Sequence, residues 1–435
     1  RHTSQGRDYM QDFCVCDLET TGLEPRQDQI IEIGLVKVQQ GEIKETFESL
    51  VNPGTLLPVK VKRLTGLQDD MFKESPFLSD IAPDIIEFIG DLPLVGHNVS
   101  FDASFLAWHL GIEIPKQFDT LELARIICPD SPRHRLHDLC VSLNIELSHR
   151  HRALSDAQAT AQLSFALMHK VQNLSLAYLA RVNNFLKQAD SAWIAYTASI
   201  IKDKMSTLTG EGLKIRYPLP DTVKRRKPRP SQITEIIPVN KEYIKSLFSA
   251  TGPLKDQLSY FEVRPQQVQM ADAVTDSLNE NKCLLMEAGT GTGKSLAYLI
   301  PSLEWALANR QRTLIATQTI NLQEQLWTKD IPILKSTLEN DFCAALVKGR
   351  SNYLCLRRWE TVLDRELQLK EDEALFFARI LVWLGKTETG DKSELNLSKK
   401  EQEYWLQICS DPEICQSSYC RWFHRHCFVG RARMK

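Results

Sequence analysis

Phe13-Cys14-Val15-Cys16-Asp17-Leu18-Glu19-Thr20-Thr21-Gly22 decides the fold of the first part of the chain. Its apolar start, residues 13–17, reads as a strand that ends in two carboxylates two positions apart. Positions i and i+2 share one face of a strand, so Asp17 and Glu19 can address one ion. Moving outward, residues 30–38 form a second apolar run, and Gln40-Gly41 turns it into a third near residues 43–51. Helical patterns follow at 80–89, 102–110, 120–127, 136–143 and, longest, 156–171, while 93–97 reads as one more strand. The sum is an α/β domain over residues 8–172.

Asp102 follows the 93–97 strand in Gly96-His97-Asn98-Val99-Ser100-Phe101-Asp102, at the start of a helix. Asp156 closes His151-Arg152-Ala153-Leu154-Ser155-Asp156, near the start of the longest helix. Carboxylates that converge repel one another unless cations compensate them, and two Mg²⁺ or Mn²⁺ ions do so through hard oxygen ligands. A two-metal clamp suits in-line attack of water on a phosphodiester, with His151 placed to take the water's proton. In this order, with Thr20-Thr21-Gly22 behind the first pair, the residues resemble the DnaQ-like exonucleases and their DEDDh pattern over about residues 10–172. The resemblance implies an RNase H-like fold and removal of nucleotides from 3′ ends with two divalent metals. It also implies that Asp17, Glu19 and Asp156 bind metal, that Asp102 completes the acidic set and that His151 is the base. Asp119-Thr120 reads as structural. No motif position is lost, so an active site is expected.

Residues 173–205 look helical but do not obviously join that core. Residues 214–232 carry Lys224-Arg225-Arg226-Lys227-Pro228-Arg229-Pro230 and read as an extended, solvated tether, with contact to a nucleic-acid backbone as the alternative. The span 173–248 is therefore expected to be a helical segment followed by a basic, proline-containing linker. A second α/β region is expected over 249–435, with a helix at 265–278 and strands at 283–286 and 313–317. Between them lies Glu287-Ala288-Gly289-Thr290-Gly291-Thr292-Gly293-Lys294-Ser295. A strand, a glycine-rich loop and a helix make a phosphate cradle: the backbone amides of 288–293 surround phosphates, Lys294 reaches the terminal ones and Ser295 ligates Mg²⁺. Ala288 stands where the usual pattern has glycine.

The flanks narrow the class. Arg264-Pro265-Gln266-Gln267-Val268-Gln269-Met270 resembles the adenine-reading Q motif of superfamily 2 helicases, with Gln267 as reader. Ala316-Thr317-Gln318-Thr319-Ile320-Asn321-Leu322-Gln323-Glu324-Gln325-Leu326 resembles their single-strand-binding motif Ia. Lys348-Gly349-Arg350-Ser351-Asn352-Tyr353-Leu354-Cys355 resembles the segment of the XPD/DinG helicases that carries the first iron–sulfur ligand. An exonuclease ahead of such a core is the layout of DinG-type proteins, and the resemblance covers essentially the whole chain. It implies a partial P-loop RecA-like domain that binds ATP. Asp372-Glu373 is not the second acidic motif, because it follows a charged helical stretch and lacks the histidine. ATP turnover and unwinding are not expected from this chain, whose start at Arg1 and end at Lys435 suggest part of a larger protein.

The chain has 11 cysteines. Cys14, Cys16, Cys128, Cys140, Cys283 and Cys343 lie in apolar contexts and read as small buried hydrophobes. Cys409, Cys415, Cys420 and Cys427 crowd together, and a local cysteine cluster in an intracellular chain points to metal rather than disulfides. Cys355, Cys415, Cys420 and Cys427 make a set of four thiols, and by the family resemblance they imply a 4Fe-4S cluster in an insertion. A zinc site with Cys409 in place of Cys355, or no metal, are the alternatives. Arg350, Tyr353, Arg421, Trp422 and Arg425 could stack bases and meet phosphates, or simply pack around the cysteines.

Composition bounds the rest. The 435 residues, 25% charged and 43% hydrophobic, suit two or three soluble domains. A net charge of −2 excludes a polycation, so nucleic acid must be met by local patches. No secretory signal or membrane-spanning run is visible, and a cytoplasmic location is expected. The reading is a metal-dependent 3′-5′ exonuclease acting on single-stranded or 3′-tailed DNA, with an ATP-binding helicase-like module. The alternatives are an ATP-dependent helicase, in the full-length protein, with the nuclease as accessory, and a non-catalytic nucleic-acid-binding scaffold.

Overall fold

The computed structural model describes residues 10–114, 116–147, 151–206, 235–258, 260–338, 340–364, 369–423 and 426–434. Strands β1 (Phe13–Thr20), β2 (Ile30–Gln39) and β3 (Glu42–Leu50) form the expected meander. Two short strands, β4 (Leu94–Gly96) and β5 (Gln117–Asp119), complete a sheet of order β3-β2-β1-β4-β5. β1 pairs antiparallel with β2 and parallel with β4. β2 reads as a nearly unbroken apolar run because both its faces are covered: Ile30, Ile31, Ile33, Leu35, Val36 and Val38 are all buried.

The helices are α1 (Val59–Thr65), α2 (Leu78–Ile89), α3 (Val99–Leu110), α4 (Thr120–Ile127), α5 (Leu136–Leu143) and α6 (Ala153–Gln172). Two more, α7 (Leu176–Gln188) and α8 (Ile194–Ser206), occupy the stretch expected to stand apart. They join the same core instead. Trp193 is fully buried, with its ring 5.1 Å from Phe118, and its Nε1–H donates to the Asp119 carbonyl at 3.0 Å. The Tyr196 hydroxyl donates to the Met168 carbonyl on α6.

Compactness divides the chain otherwise than at 172 and 249. Described residues of 10–206 and 351–422 form one unit; those of 235–350 and 423–434 form another. The basic tether expected at 214–232 lies outside the described residues.

The second unit holds α9 (Lys241–Leu247), α10 (Leu254–Gln257), α11 (Pro265–Asn279), α12 (Lys294–Ala308), α13 (Ile320–Gln325) and α14 (Ile331–Thr337). Ile244, Phe248, Ala271, Ala297, Ile300 and Leu334 meet in its core. The strands expected at 283–286 and 313–317 are absent: both stretches are irregular and unpaired among the described residues, and Leu285 and Leu314 are exposed. A strand is held by its ladder, and these runs have no described neighbour to pair with. Cys283 and Cys343 are likewise exposed, not buried.

The first unit closes with α15 (Leu356–Asp364), α16 (Glu371–Leu384) and α17 (Lys399–Ile408). α16 is buried almost all round, which its run Ala374–Leu384, apolar but for Arg379, requires. It packs on α7 and α4, and Phe377 meets Phe185 of α7 and Trp359 of α15 at ring separations of 6.2 and 6.0 Å. Asp372 and Glu373 open this helix and pair with Lys400 and Gln407, so they do not end a strand. No helix among the described residues is long and apolar enough to cross a membrane.

Candidate active site

The register of β1 on β2 sets the site. Asp17 lies opposite Gly34 and Glu19 opposite Glu32. Cross-strand partners point the same way, so all four positions share one face of the sheet. The N-terminus of α6 is pressed onto that face. A Cβ on Gly34 would sit 2.2 Å from the Ala153 carbonyl carbon and 2.3 Å from the Leu154 nitrogen. Only glycine permits this approach. Glu32, wholly buried, fixes the same end: its carboxylate accepts from Arg152 Nε at 2.8 Å and from the Ala153 N–H at 3.3 Å. A buried charge persists when paired and hydrogen-bonded in this way.

This docking delivers the remaining groups. Asp156 falls in the first turn of α6, where the helix dipole favours a carboxylate. His151 takes a positive φ of 57°, and its backbone N–H donates to Asp156 Oδ2 at 3.1 Å. One ligand atom each of Glu19, His151 and Asp156 lies within 4.8 Å of the others. Asp102, in the first turn of α3, is buried and accepts the Leu18 N–H at 3.0 Å. That amide lies beyond the paired segment of β1 and β4, so the carboxylate replaces a strand partner. Asp119 caps α4 through the Leu121 N–H at 2.7 Å and accepts the Asn98 N–H at 2.9 Å, the structural part expected of it.

The acids are uncomfortable without cations. Burial, and then the charges of Asp102, Asp156, Glu19 and Glu32, hold the Asp17 carboxyl well above the usual carboxylate range. Burial with Asp156 and Glu32 nearby pushes Glu19 up to about 8. Burial also takes Asp102 to about 8, outweighing the hydrogen bond from Leu18. Arg152 is engaged by Glu32 and Glu48 and neutralises neither Asp17 nor Glu19. An all-oxygen donor set with surplus negative charge fits Mg²⁺ or Mn²⁺.

The glycine-rich loop of the second unit also has a definite geometry. Gly293 caps α12 at φ 77° and Gly291 sits at φ 84°, both left-handed positions that suit glycine. Lys294 is exposed, its Nζ donating to the Ala288 carbonyl at 2.8 Å across the loop, and the Thr292 hydroxyl donates to the Gly289 carbonyl. Ser295 lies beside Asp330 and Tyr298. Gln267, expected to read adenine, is buried, and its amide donates to the Gly293 carbonyl at 2.9 Å. Arg264 donates to the Gly291 carbonyl. In this structure both side chains brace the loop.

Two family models match the chain: Exonuclease over residues 14–164 and DEAD/DEAH box helicase over residues 264–361. The chain joins an exonuclease domain to a DEAD/DEAH box helicase domain. It is 30% identical over 417 residues to the 3′-5′ exonuclease DinG of Bacillus subtilis (strain 168), covering 94% of this chain and 44% of that one. It is 30% identical over 404 residues to the protein of the same name from Staphylococcus aureus (strain USA300), covering 92% and 44%. The chain thus spans less than half the length of these curated relatives. Among solved structures, exonuclease X in complex with 5′-overhanging duplex DNA is 28% identical, covering 36% of this chain and 91% of that one, with a TM-score of 0.31.

In the exonuclease domain the site residues named from sequence come together, with Gly34, Glu32 and Arg152 as parts that sequence reasoning missed. Among the described residues of the first unit, the cysteines expected to bind metal do not assemble in the same way. Cys355, Cys415 and Cys420 are half-buried and do not form a group with sulfurs within metal-binding distance among the described residues. The Cys415 thiol accepts the Ser417 N–H, and within the other unit the Cys427 thiol accepts the Gly430 N–H. Cys409 is buried, and desolvation raises its thiol pKa. Tyr353 is 3% exposed and cannot stack on a base. Arg421 and Trp422 both donate to Glu360, which favours packing over base stacking. Arg425 lies outside the described residues.

Proposed function

We propose that the exonuclease domain hydrolyses phosphodiester bonds from the 3′ end of DNA, preferably single-stranded or 3′-tailed, with two Mg²⁺ or Mn²⁺ ions. The convergence of Glu19, His151 and Asp156 beside Asp17 carries this reading. Asp17, Glu19 and Asp156 would hold the cations, with Asp102 completing the acidic wall. When bound, such ions neutralise the carboxylates and the developing charge at phosphorus. His151 takes the proton of the attacking water on its ring, while its backbone bond to Asp156 keeps it beside the acids. Digestion of a 5′-labelled single strand in Mn²⁺ tests the reading: shortening from the 3′ end supports it, and an intact strand refutes it.

The helicase domain, in the same proposal, binds ATP on residues 288–295, with Lys294 at the terminal phosphates and Ser295 on Mg²⁺. The left-handed glycines and the exposed Lys294 support this. Negligible turnover is expected, since Asp372-Glu373 opens α16 instead of ending a strand and so supplies no second acidic motif. A 4Fe-4S cluster on Cys355, Cys415, Cys420 and Cys427 rests on the resemblance to the XPD/DinG helicases and on the thiol spacing, and no chemistry is derived through it. Iron analysis after anaerobic purification tests it; stoichiometric zinc in a colourless protein points to the zinc alternative. Reduced thiols and DNA as substrate suit the cytoplasm.

A further inference from the structure

The first unit contains a cleft of about 1200 Å³ that the nuclease chemistry alone does not account for. His151 and Asp156 line it, so it opens directly from the candidate active site. From there it runs past Arg125 on α4 and the loop carrying Arg133 and Arg135. Its far side is made by α16, the segment after it and α17, through Leu375, Leu397, Lys400 and Tyr404. The volume exceeds the roughly 300–1,000 Å³ of a small-molecule pocket and leaves room for more than one nucleotide.

The two walls differ in chemistry. Arg125, Arg133 and Arg135 are exposed, and their guanidinium groups make no ion pair among the described residues. The cations of the opposite wall are already used: Arg379 pairs with Glu401 at 2.8 Å and Lys400 with Asp372. What that wall offers is apolar and aromatic surface. Tyr404 is half-buried with its ring 5.8 Å from Phe376, and Leu375 and Leu397 are half-buried beside it. A wall with three exposed arginines beside Asp119, Glu122 and Asp138, facing an aromatic and apolar one, offers a single strand phosphate contacts on one side and base contacts on the other.

The helical wall is also tied to the arginine loop. Arg379 Nη2 donates to the Pro129 carbonyl at 3.0 Å. Lys386 Nζ reaches the Ile127 carbonyl at 3.3 Å and Asp130 at 3.1 Å. Asn396 donates to the Pro132 carbonyl at 2.7 Å. All these acceptors lie in residues 127–132, immediately before Arg133 and Arg135.

We propose that this cleft is the track of the strand being digested, so that the α16–α17 segment of the helicase portion supplies one wall of the exonuclease's substrate site. The inference rests on the exonuclease reading and adds a location and a chemistry for strand binding. Arg125, Arg133 and Arg135 receive successive phosphates, Tyr404 stacks a base, and the 3′-terminal nucleotide reaches His151 and Asp156.

The test uses the full 435-residue chain in Mn²⁺ with two substrates. One is a labelled 20-nucleotide single strand; the other is the p-nitrophenyl ester of thymidine 5′-monophosphate, too short to span the cleft. Arg133→Glu with Arg135→Glu, and separately Tyr404→Leu, should lower the strand-to-ester ratio of kcat/KM about tenfold, mainly through KM. Each arginine reversal should also flatten the dependence of log kcat/KM on log salt by about one. Tyr404→Phe keeps the stacking plane and should restore the ratio. An unchanged ratio in both variants, with an active parent, overturns the inference and leaves the nuclease reading standing. Equal loss on strand and ester also overturns it, since that reports damage to the site or the fold. A parent inactive on both substrates refutes the nuclease reading itself.

Discussion

Gly34→Ala tests how the active site is assembled, because it touches no reacting group. The added methyl would lie 2.2 Å from the Ala153 carbonyl carbon, 2.3 Å from the Leu154 nitrogen and 2.4 Å from the Ala153 oxygen. All three are backbone atoms and cannot rotate away. To reach the 3.4 Å of ordinary contact, the start of α6 must retreat by about 1.2 Å. Overpacking of this kind costs about 1–3 kcal/mol, which the domain can survive. Asp156 and His151 travel with α6, while Asp17 and Glu19 stay on β1. A misplacement of about 1 Å between catalytic groups costs on the order of 100-fold in rate. The expected result is therefore a folded protein whose 3′-end digestion falls by about two orders of magnitude. Gly54→Ala is the control: its φ of +70° disfavours a side chain, but nothing lies within 4 Å, so rate should hold. Digestion by Gly34→Ala within about threefold of the parent, at matched folding, would refute the claim that this contact sets the site.

Other outcomes follow from the same geometry. In chelator, the raised carboxyls of Asp17, Glu19 and Asp102 keep protons that the unfolded chain releases near its ordinary carboxylate pKa, so stability should fall as pH rises from about 5 through about 8. Mn²⁺ should reverse that fall, and thermal melts with and without the ion at each pH check both statements. His151→Ala should cut the rate by about 10²–10⁴ while Mn²⁺ binding, followed by calorimetry, stays near that of the parent. Lys294→Ala should weaken ATP binding at least about tenfold and leave 3′-end digestion unaltered, because Lys294 serves the glycine-rich loop alone.

The exonuclease fold was legible because its chemistry sits where elements end. Asp17 and Glu19 close an apolar strand, and Asp102 and Asp156 open helices, so short motifs marked both the topology and the acids. The supporting parts were not legible. Glu32 looks like any charged residue in a strand, and its partner Arg152 lies 120 positions away. Gly34 carries no local signal, because the helix that needs its missing side chain comes from the far end of the domain. β5 is three residues long and mostly polar, too short for periodicity to register. In the helicase portion the apolar runs at 283–286 and 313–317 were read as strands, but an alternating or apolar pattern cannot report whether a pairing neighbour is present. The association of α16 and α17 with the exonuclease unit depends on contacts such as Arg379 to Pro129, which span 250 residues. No local pattern announces those.

The most direct test of the central claim is a time course of 5′-labelled single-stranded DNA with the parent chain and with Asp17→Ala, each in Mn²⁺ and in chelator. The four carboxyls and His151 predict a ladder that shortens from the 3′ end only for the parent in Mn²⁺, with the variant inert and still folded. Equal digestion by parent and variant, or digestion that persists in chelator, would contradict it.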